Sequence, residues 1–395
     1  MTKKSIFVFA LFFALAVFLA HYWIVGSGVW GDGRYYYAYL RSAVVDHNLD
    51  FRNEFEHFSC PLELTKTGRI ANKFSIGPAL LWSPFFLVFH LKASFLNLLG
   101  INLITDGFSH LYQIATGLAA VFYGILGLWL SFKVVEEYFS LKIALISTFS
   151  LWLASNLFFY TAVDPINSHA VSFFVASAIV FTLIKYSREG KGRQLAILGL
   201  LTGLLAMIRT QDLIFLVPIL AWLLKEGQKE IRLAFNKVSI FLFFVLVGFL
   251  PQLGVWQILY GELKSPYLIQ GETFNWLRPQ ILLPFFSSNN GLFYYSPILL
   301  LAIIGLFLAR KRSFLVMGGI FLFLLQTYVV ASWHTWSGGE AYGGRMFISL
   351  MPFFIIGLAA FLERYNKKRW GLICSVLLAL VVLNFVSIVK FLLTH

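Results

Sequence analysis

A series of apolar runs, each about as long as a bilayer is thick, constrains this chain more than any other feature. The first run covers residues 5–29, and about 20 apolar residues in a helix span the roughly 30 Å hydrocarbon core of a membrane. Within hydrocarbon, a helix pairs all of its backbone polar groups internally. Because 59% of the 395 residues are hydrophobic and only 12% are charged, we predict an all-α polytopic membrane protein.

The apolar pattern predicts eleven transmembrane helices. Residues 195–224 are divided into two of these, because one helix of 30 residues would be about 45 Å long. Residues 74–99 are also apolar, but we expect interfacial helices there, broken by Pro78 and Pro84 and lying in the outer leaflet. The predicted spans are 5–29, 110–132, 142–160, 167–186, 194–209, 211–225, 237–260, 292–309, 314–332, 346–362 and 370–392.

The charge distribution sets the expected orientation. With a cytoplasmic N-terminus, the inner segments hold 19 of the 31 Lys and Arg residues and 6 of the 18 Asp and Glu residues. The outer segments hold 12 of each, so the whole net charge of +13 lies inside, as the positive-inside rule requires. We therefore interpret the basic inner loops as topology signals and expect no nucleic-acid partner. These loops contain Lys185, Arg188, Lys191 and Arg193, and Arg310, Lys311 and Arg312.

This topology leaves the material for a functional site on the outer side. The inner loops are short, whereas outer loops are expected at 30–109, 261–291 and 333–345, and all eight histidines lie in outer segments or near outer helix ends. We expect a membrane core at 1–232, further membrane helices at 233–395, and no separate soluble domain. The predicted location is the cell (inner) membrane, with the C-terminus and the active site on the outer or periplasmic face.

Two carboxylates are candidates for catalysis. Asp32 lies between Gly31 and Gly33 directly after the first span. It could cap the helix that begins near Arg34, since Asp is a favoured N-cap residue, or it could serve as a general base. Asp164 precedes Pro165 and is either an ordinary turn residue or a second acid that helps to bracket a sugar.

Several cations and aromatic residues could bind a phosphorylated lipid and its sugar. Lys73 could snorkel to headgroups or bind a phosphate as a point charge. Arg345 closes a loop with two tryptophans and four glycines and is either an interfacial anchor or a phosphate ligand. Arg209 could bind the phosphate or pair with Asp212. His334 is a further candidate for the phosphate, and the candidates for substrate contact are Arg34, Tyr35, Tyr36, Trp333, Trp336 and Glu340.

The positions of these residues resemble the GT-C superfamily of polyprenyl-phosphate-sugar-dependent glycosyltransferases, nearest to the protein O-mannosyltransferase and aminoarabinose-transferase group. The resemblance rests on an acid after the first span, a long outer loop with interfacial helices, and a Lys-x-x-x-Gly-Pro segment at Lys73. It implies that Asp32 contacts the acceptor and acts as base, that Lys73 contacts the lipid phosphate, and that Asp164 is the second outer acid. It covers about the first 230 residues.

The resemblance implies an inverting transfer of a sugar from a polyprenyl-phosphate carrier to a glycan, lipid or protein acceptor. Two other classes stay open: a transporter or flippase of a lipid-linked sugar, and an outer-face acyltransferase or ligase. The sequence contains no HExxH motif, Walker loop, nucleophile elbow or cysteine cluster, so we expect neither a nucleotide nor a tightly bound zinc. No cofactor is expected, and nothing indicates a divalent cation.

Overall fold

The computed structural model describes residues 2–226, 230–309 and 313–394, without the side chains of 366–369. The basic cluster expected at 310–312 and the last histidine, at 395, lie outside the described residues. The helices are α1 (Lys3–Val25), α2 (Gly33–Arg41), α3 (Arg52–His57), α4 (Gly77–Leu98), α5 (His110–Glu136), α6 (Leu141–Leu153), α7 (Asn156–Phe158), α8 (Ser168–Glu189), α9 (Gly192–Ile208), α10 (Leu216–Glu226), α11 (Ile231–Tyr260), α12 (Pro266–Ile269), α13 (Leu283–Phe286), α14 (Leu292–Tyr295), α15 (Ile298–Ala309), α16 (Phe314–Ser332) and α17 (Met351–Thr394).

The predicted class, an all-α polytopic membrane protein, is confirmed. Within the described residues, eight helices are long and apolar enough to cross a membrane, or nine if the bent pair Leu141–Leu153 and Asn156–Val163 counts as one span. The predicted number of eleven is not confirmed by this count. The difference lies partly in three predicted spans whose helices are short: α9 has 17 residues, α10 has 11 and α15 has 12.

The prediction that prolines break the segment 74–99 is wrong. The structure has a single helix of 22 residues, α4, which passes through Pro84. Pro78 is harmless because it lies in the first turn, where no helical N–H partner is required. A proline at position 84 leaves the carbonyl of Leu80 without its usual donor, and the Ser83 hydroxyl donates to that oxygen at 2.8 Å instead.

Contacts between α1 and α5 define the two ends of the bundle. Tyr22, near the end of α1, hydrogen-bonds His110 at the start of α5. At the other end, Lys3 pairs with Glu136. The two helices are therefore antiparallel, and we call the end marked by Tyr22 and His110 the outer end. His90 of α4 bonds the Tyr112 hydroxyl at 2.7 Å, so the second half of α4 also lies near the outer end.

Close helix contacts through glycine place the end of α9. A Cβ atom at Gly203 would lie 2.9 Å from the Cα atom of Gly248 on α11, and small residues of this kind let membrane helices approach closely. Gly77, which begins α4, packs on the backbone of Met207 and Ile208 in the same way. The last turn of α9 is therefore held between α4 and α11, which fixes the direction of Arg209.

Two outer loops pair with each other above the bundle. Phe274 and Trp333 form an isolated antiparallel bridge, and the Asn275 N–H donates to the Ser332 carbonyl at 2.7 Å. The loop after Trp333 contains Gly338, Gly339 and Gly343, all with positive φ, a conformation that glycine adopts without strain. These turns return the chain to Arg345. Two candidate spans, Arg345–Tyr365 and Trp370–Thr394, follow one another along the chain and share α17 between them. Tyr342, just before the first span, contacts Phe391 near the end of the second, so the two spans are antiparallel.

Candidate active site

A cavity of about 500 Å³ lies at the outer end, where segments far apart in sequence meet. Its volume is in the usual range for ligand sites, about 300–1,000 Å³. Six of the predicted site residues line it: Asp32, Tyr36, Lys73, Arg209, Trp333 and Arg345. The other lining residues include Ser168, His169, Gln211, Tyr267, Glu272, Phe274, Trp276, Thr335 and Met346.

Asp32 forms an ion pair with Arg345. The Arg345 Nη1 and Asp32 Oδ2 atoms are 2.7 Å apart, and the Asp32 side chain is 28% exposed. Asp32 occupies the N-cap position of α2 but makes no side-chain capping hydrogen bond. The carboxylate therefore faces the cavity and its cation rather than the helix terminus.

Arg345 is held by the glycine-rich loop and keeps unused hydrogen-bonding capacity. Its Nη2 donates to the Gly338 carbonyl at 2.6 Å. Its Nε is buried and has no hydrogen-bond partner among the described residues. The guanidinium is 11% exposed, so it is mostly shielded from water and retains a donor for another group.

Lys73 faces Glu272, which the sequence analysis did not select. The Lys73 Nζ and Glu272 Oε1 atoms are 3.5 Å apart, and Nζ also lies 5.5 Å from the centre of the Tyr267 ring. Glu272 accepts hydrogen bonds of 2.8 Å from the Trp333 Nε1–H and the Thr335 hydroxyl. Burial alone would raise the pKa of Glu272, but these two hydrogen bonds and the charge of Lys73 lower it below its ordinary value.

Arg209 reaches the cavity from the end of α9 and contacts His169 and the Met346 sulfur. The alternative pairing with Asp212 is absent from the described hydrogen bonds. The carboxylate of Asp212 instead accepts from Ser172 at 3.1 Å and from Ser349 at 2.8 Å. Arg209 therefore lines the cavity without a side-chain hydrogen bond to Asp212. Asp212 instead connects α8 with the segment that follows Arg345.

Asp164 lies behind the cavity wall and is buried. Its Oδ2 atom is 3.4 Å from the Asn167 amide nitrogen, and its Oδ1 atom has no partner among the described residues. Burial raises the pKa of Asp164 to about 7, assisted by the charge of Asp32 and opposed by Asn167 and Arg345. The group is therefore poised to change protonation near neutral pH, although it does not line the cavity.

Besides Asp164, five other predicted site residues are not brought to this cavity. Arg34 donates to the carbonyls of Gly31 and Phe58. Tyr35 stacks on Phe74, one of the lining residues. Trp336 lines a narrow gap beside Arg345, Glu340 is exposed on the glycine-rich loop, and His334 lines a separate pocket.

The sequence carried a signal for one of the residues that were missed. Glu272 follows Gly271, whose φ is positive, and so repeats the glycine–acid pattern that identified Asp32. Tyr267, His169 and Gln211 carry no comparable local signal. Within the described part of the chain, no group of three or more His, Cys, Asp or Glu side chains could hold a metal ion.

Comparison with known proteins identifies the fold. The model of the family described as dolichyl-phosphate-mannose-protein mannosyltransferase matches residues 99–256. Among solved structures, the chain resembles ArnT from Cupriavidus metallidurans bound to undecaprenyl phosphate, with a TM-score of 0.60 and 13% identity. The alignment covers 94% of this chain and 62% of that one. The chain has the GT-C fold.

The predicted resemblance to the GT-C superfamily is thereby confirmed. The family match includes Asp164, His169 and Arg209 but not Asp32, Lys73 or Arg345, whereas the similarity in fold covers 94% of the chain. This chain spans less than two thirds of the length of the ArnT chain. A comparison with curated proteins found no significant match.

Proposed function

We propose that this protein is an inverting glycosyltransferase that moves a sugar from a polyprenyl-phosphate carrier to an acceptor on the outer face of the cell membrane. The observation that carries the proposal is the cavity itself, which Lys73, Arg209 and Arg345 line together with Asp32, a carboxylate that makes no side-chain capping hydrogen bond. The family description, which names a dolichyl-phosphate sugar, and the undecaprenyl phosphate bound by the similar structure support it.

The three cations are assigned to the donor phosphate. Lys73 and Arg345 come from opposite halves of the chain and both line the cavity, so a phosphate between them would receive charge-assisted hydrogen bonds. Arg209 lines the same cavity beside His169. Fixed cations of this kind stabilise the charge that develops on a departing phosphate, and they do so most strongly where water is excluded.

Asp32 is assigned to the acceptor. In the transfer, the acceptor oxygen forms a bond to the sugar C1 atom while the bond from C1 to the phosphate oxygen breaks. The acceptor proton moves to Asp32, and the electron pair leaves with the phosphate. This single displacement inverts the configuration at C1.

The ion pair between Asp32 and Arg345 couples the two substrates. A phosphate that binds Arg345 competes with Asp32 for the same guanidinium, so donor binding releases the carboxylate to accept a proton. The buried, unpaired Nε atom of Arg345 gives the phosphate an additional donor. Asp32 would then be able to accept the acceptor proton only after the donor has bound.

Asp164 and the aromatic residues are assigned supporting roles. Asp164 is buried near Asp32, whose charge helps to raise the pKa of Asp164. Trp333 and Tyr36 line the cavity and offer an aromatic face and a hydroxyl to a sugar.

We place the N-terminus in the cytoplasm and the C-terminus outside. Cysteines introduced at Asn102 and Thr394 of a cysteine-free variant should therefore react with an impermeant reagent from outside, whereas labelling of 102 only from inside contradicts this topology.

The decisive assay uses the purified full chain in liposomes with a radiolabelled polyprenyl-phosphate sugar and cell-envelope acceptors. We expect labelled product that depends on the protein, with inverted configuration at C1 by NMR, and no net movement of the lipid between leaflets. Protein-free liposomes are the control. Movement of the labelled lipid across the bilayer without any glycosylated product would assign the protein to the transporters instead.

A further inference from the structure

A second pocket of about 360 Å³ lies beside the active-site cavity, between the two paired outer loops. We call it the outer polar pocket, after its six polar lining residues: Thr273, Asn275, Arg278, Gln280, Ser332 and His334. Phe274 and Trp333 line both this pocket and the cavity. A ligand in the pocket would therefore be separated from Asp32 and Lys73 only by an aromatic wall.

The lining favours an anionic ligand. Arg278 and His334 can supply positive charge and N–H donors, the amides of Asn275 and Gln280 add further donors, and none of the lining residues is acidic. No ion pair involves Arg278 within the described part of the chain, and its side chain is exposed. The planar guanidinium is suited to bidentate binding of a carboxylate or a phosphate.

A buried hydroxyl in the wall gives independent support for a ligand. The Ser332 side chain is buried, and its Oγ atom has no hydrogen-bond partner among the described residues. The backbone of Ser332 is separately satisfied, because its carbonyl accepts from the Asn275 N–H. A buried hydroxyl without a partner is unfavourable, so alanine at position 332 would serve the free protein about as well. Ser332 lines the pocket, and a bound oxyanion would accept a hydrogen bond from its hydroxyl.

We propose that the outer polar pocket binds the anionic group of the acceptor, and that the acceptor is a glycan carrying a phosphate or a carboxylate. This assignment rests on the proposed transferase function. The glycan would lie along Trp333, with its charged group beside Arg278 and its reactive hydroxyl directed towards Asp32. His334, which was expected to bind the donor phosphate, belongs to this pocket instead.

The test measures binding of small charged sugars to the purified full chain in neutral detergent, without any donor lipid. The probes are glucose 6-phosphate and glucuronate, with glucose as the uncharged reference, titrated by saturation-transfer difference NMR. We expect both charged sugars to bind at least about tenfold more tightly than glucose. Arg278→Gln should weaken their binding by about tenfold or more, because it removes a charged hydrogen-bond donor. Lys264→Gln, which removes a charge from the same outer loop outside the pocket, should leave binding unchanged.

Ser332→Ala separates a binding role from a structural one. If Ser332 serves the ligand, the variant keeps or raises the Tm of the free protein and weakens the charged probes by about three- to tenfold. A lower Tm with unchanged affinity would show that the hydroxyl supports the fold and would overturn the proposal.

The remaining outcomes locate the anion. Lys73→Ala should leave probe binding unchanged, because Lys73 lies in the active-site cavity. Loss of binding in Lys73→Ala but not in Arg278→Gln would place the anion on the donor side and overturn the proposal. Equal affinity for glucose, or no binding of charged sugars at tens of millimolar, would also overturn it. Because no donor is present, these results do not depend on whether the protein transfers sugar.

Discussion

Charged residues at the inner end of the bundle and those around the cavity at its outer end are arranged differently. At the inner end, ion pairs other than Lys3–Glu136 form between near neighbours or across adjacent loops, and several of their side chains are exposed. Arg188 pairs with Glu137 at 2.9 Å, with side chains 54% and 39% exposed. At the outer end, Asp32 and Arg345 pair across nearly the whole sequence, and both are mostly shielded.

This difference indicates what each set of charges does. Exposed ion pairs contribute only about 0–1 kcal/mol to stability, and basic residues at cytoplasmic helix ends commonly serve to orient a membrane protein. Moving a charged group away from water costs desolvation free energy, and an ion pair does not always offset that cost. Their position beside a cavity, with Arg345 Nε unpaired, is what the proposed donor-binding role would explain.

The largest expected effect follows from Asp32→Asn. Since Asp32 makes no side-chain capping hydrogen bond, the variant should insert and fold. It should bind donor lipid at least as tightly as the wild-type protein does, because the carboxylate that competes for Arg345 is gone. Loss of a general base lowers turnover by about 10²–10⁴-fold, which single-turnover transfer assays would measure. Near-normal turnover in this variant would remove Asp32 as the base and direct attention to Asp164.

Lys73→Ala should have the next largest effect. It removes a charge-assisted contact to the phosphate, worth about 1.5–3 kcal/mol, so the affinity for polyprenyl phosphate should fall by roughly ten- to a hundredfold. Lys66→Ala is the matched control, because Lys66 lies in the same outer loop but pairs with Glu262 at the surface. Equal affinities in the two variants would make Lys73 an interfacial anchor only.

Asp164→Asn should alter the pH dependence of stability. The pKa of Asp164 is raised from 3.8 to about 7 by burial, so between about pH 4 and pH 7 the folded state holds a proton that the unfolded state has lost. Raising the pH through this window therefore lowers the free energy of unfolding. The variant has no carboxylate at this position and lacks this loss. As the pH is raised from about 4 to about 7, the Tm of the variant minus that of the wild type should therefore increase by a few degrees. A constant Tm difference would contradict the raised pKa.

Arg188→Ala should have the smallest effect. Its pair with Glu137 is exposed, so removal should change the free energy of unfolding by less than about 0.5 kcal/mol and leave transfer unchanged. A large loss of activity from this inner-end variant would break the contrast between the two ends of the bundle.

Hydropathy and charge predicted the class, because apolar length and loop charge are local properties of the sequence. The GT-C resemblance rested instead on the placement of Asp32 and of the Lys-x-x-x-Gly-Pro segment at Lys73. The continuity of α4 was not predictable in this way, since the Ser83 hydroxyl, which donates to the carbonyl that Pro84 leaves without a donor, gives no hydropathy signal. Short helices such as α15, with 12 residues, fall below a length criterion for a span.

The candidate site was predicted where single residues carried a signal and missed where two loops had to pair. Asp32, Lys73 and Arg345 were selected singly, and the structure brings all three to one cavity. Glu272, which pairs with Lys73, lies two residues before Phe274, and Phe274 pairs with Trp333 of the other loop. The same pairing explains His334, since neighbouring side chains in an extended segment point to opposite sides. Such long-range pairing leaves no pattern in a single sequence.

The most direct measurement is an experimental structure of the protein with bound polyprenyl phosphate. The account predicts the phosphate within hydrogen-bond distance of Lys73 and Arg345, the Asp32–Arg345 ion pair opened, and the Asp32 carboxylate facing open space for an acceptor. A phosphate bound outside the cavity, with Asp32 still paired to Arg345 and Lys73 still facing Glu272, would contradict it.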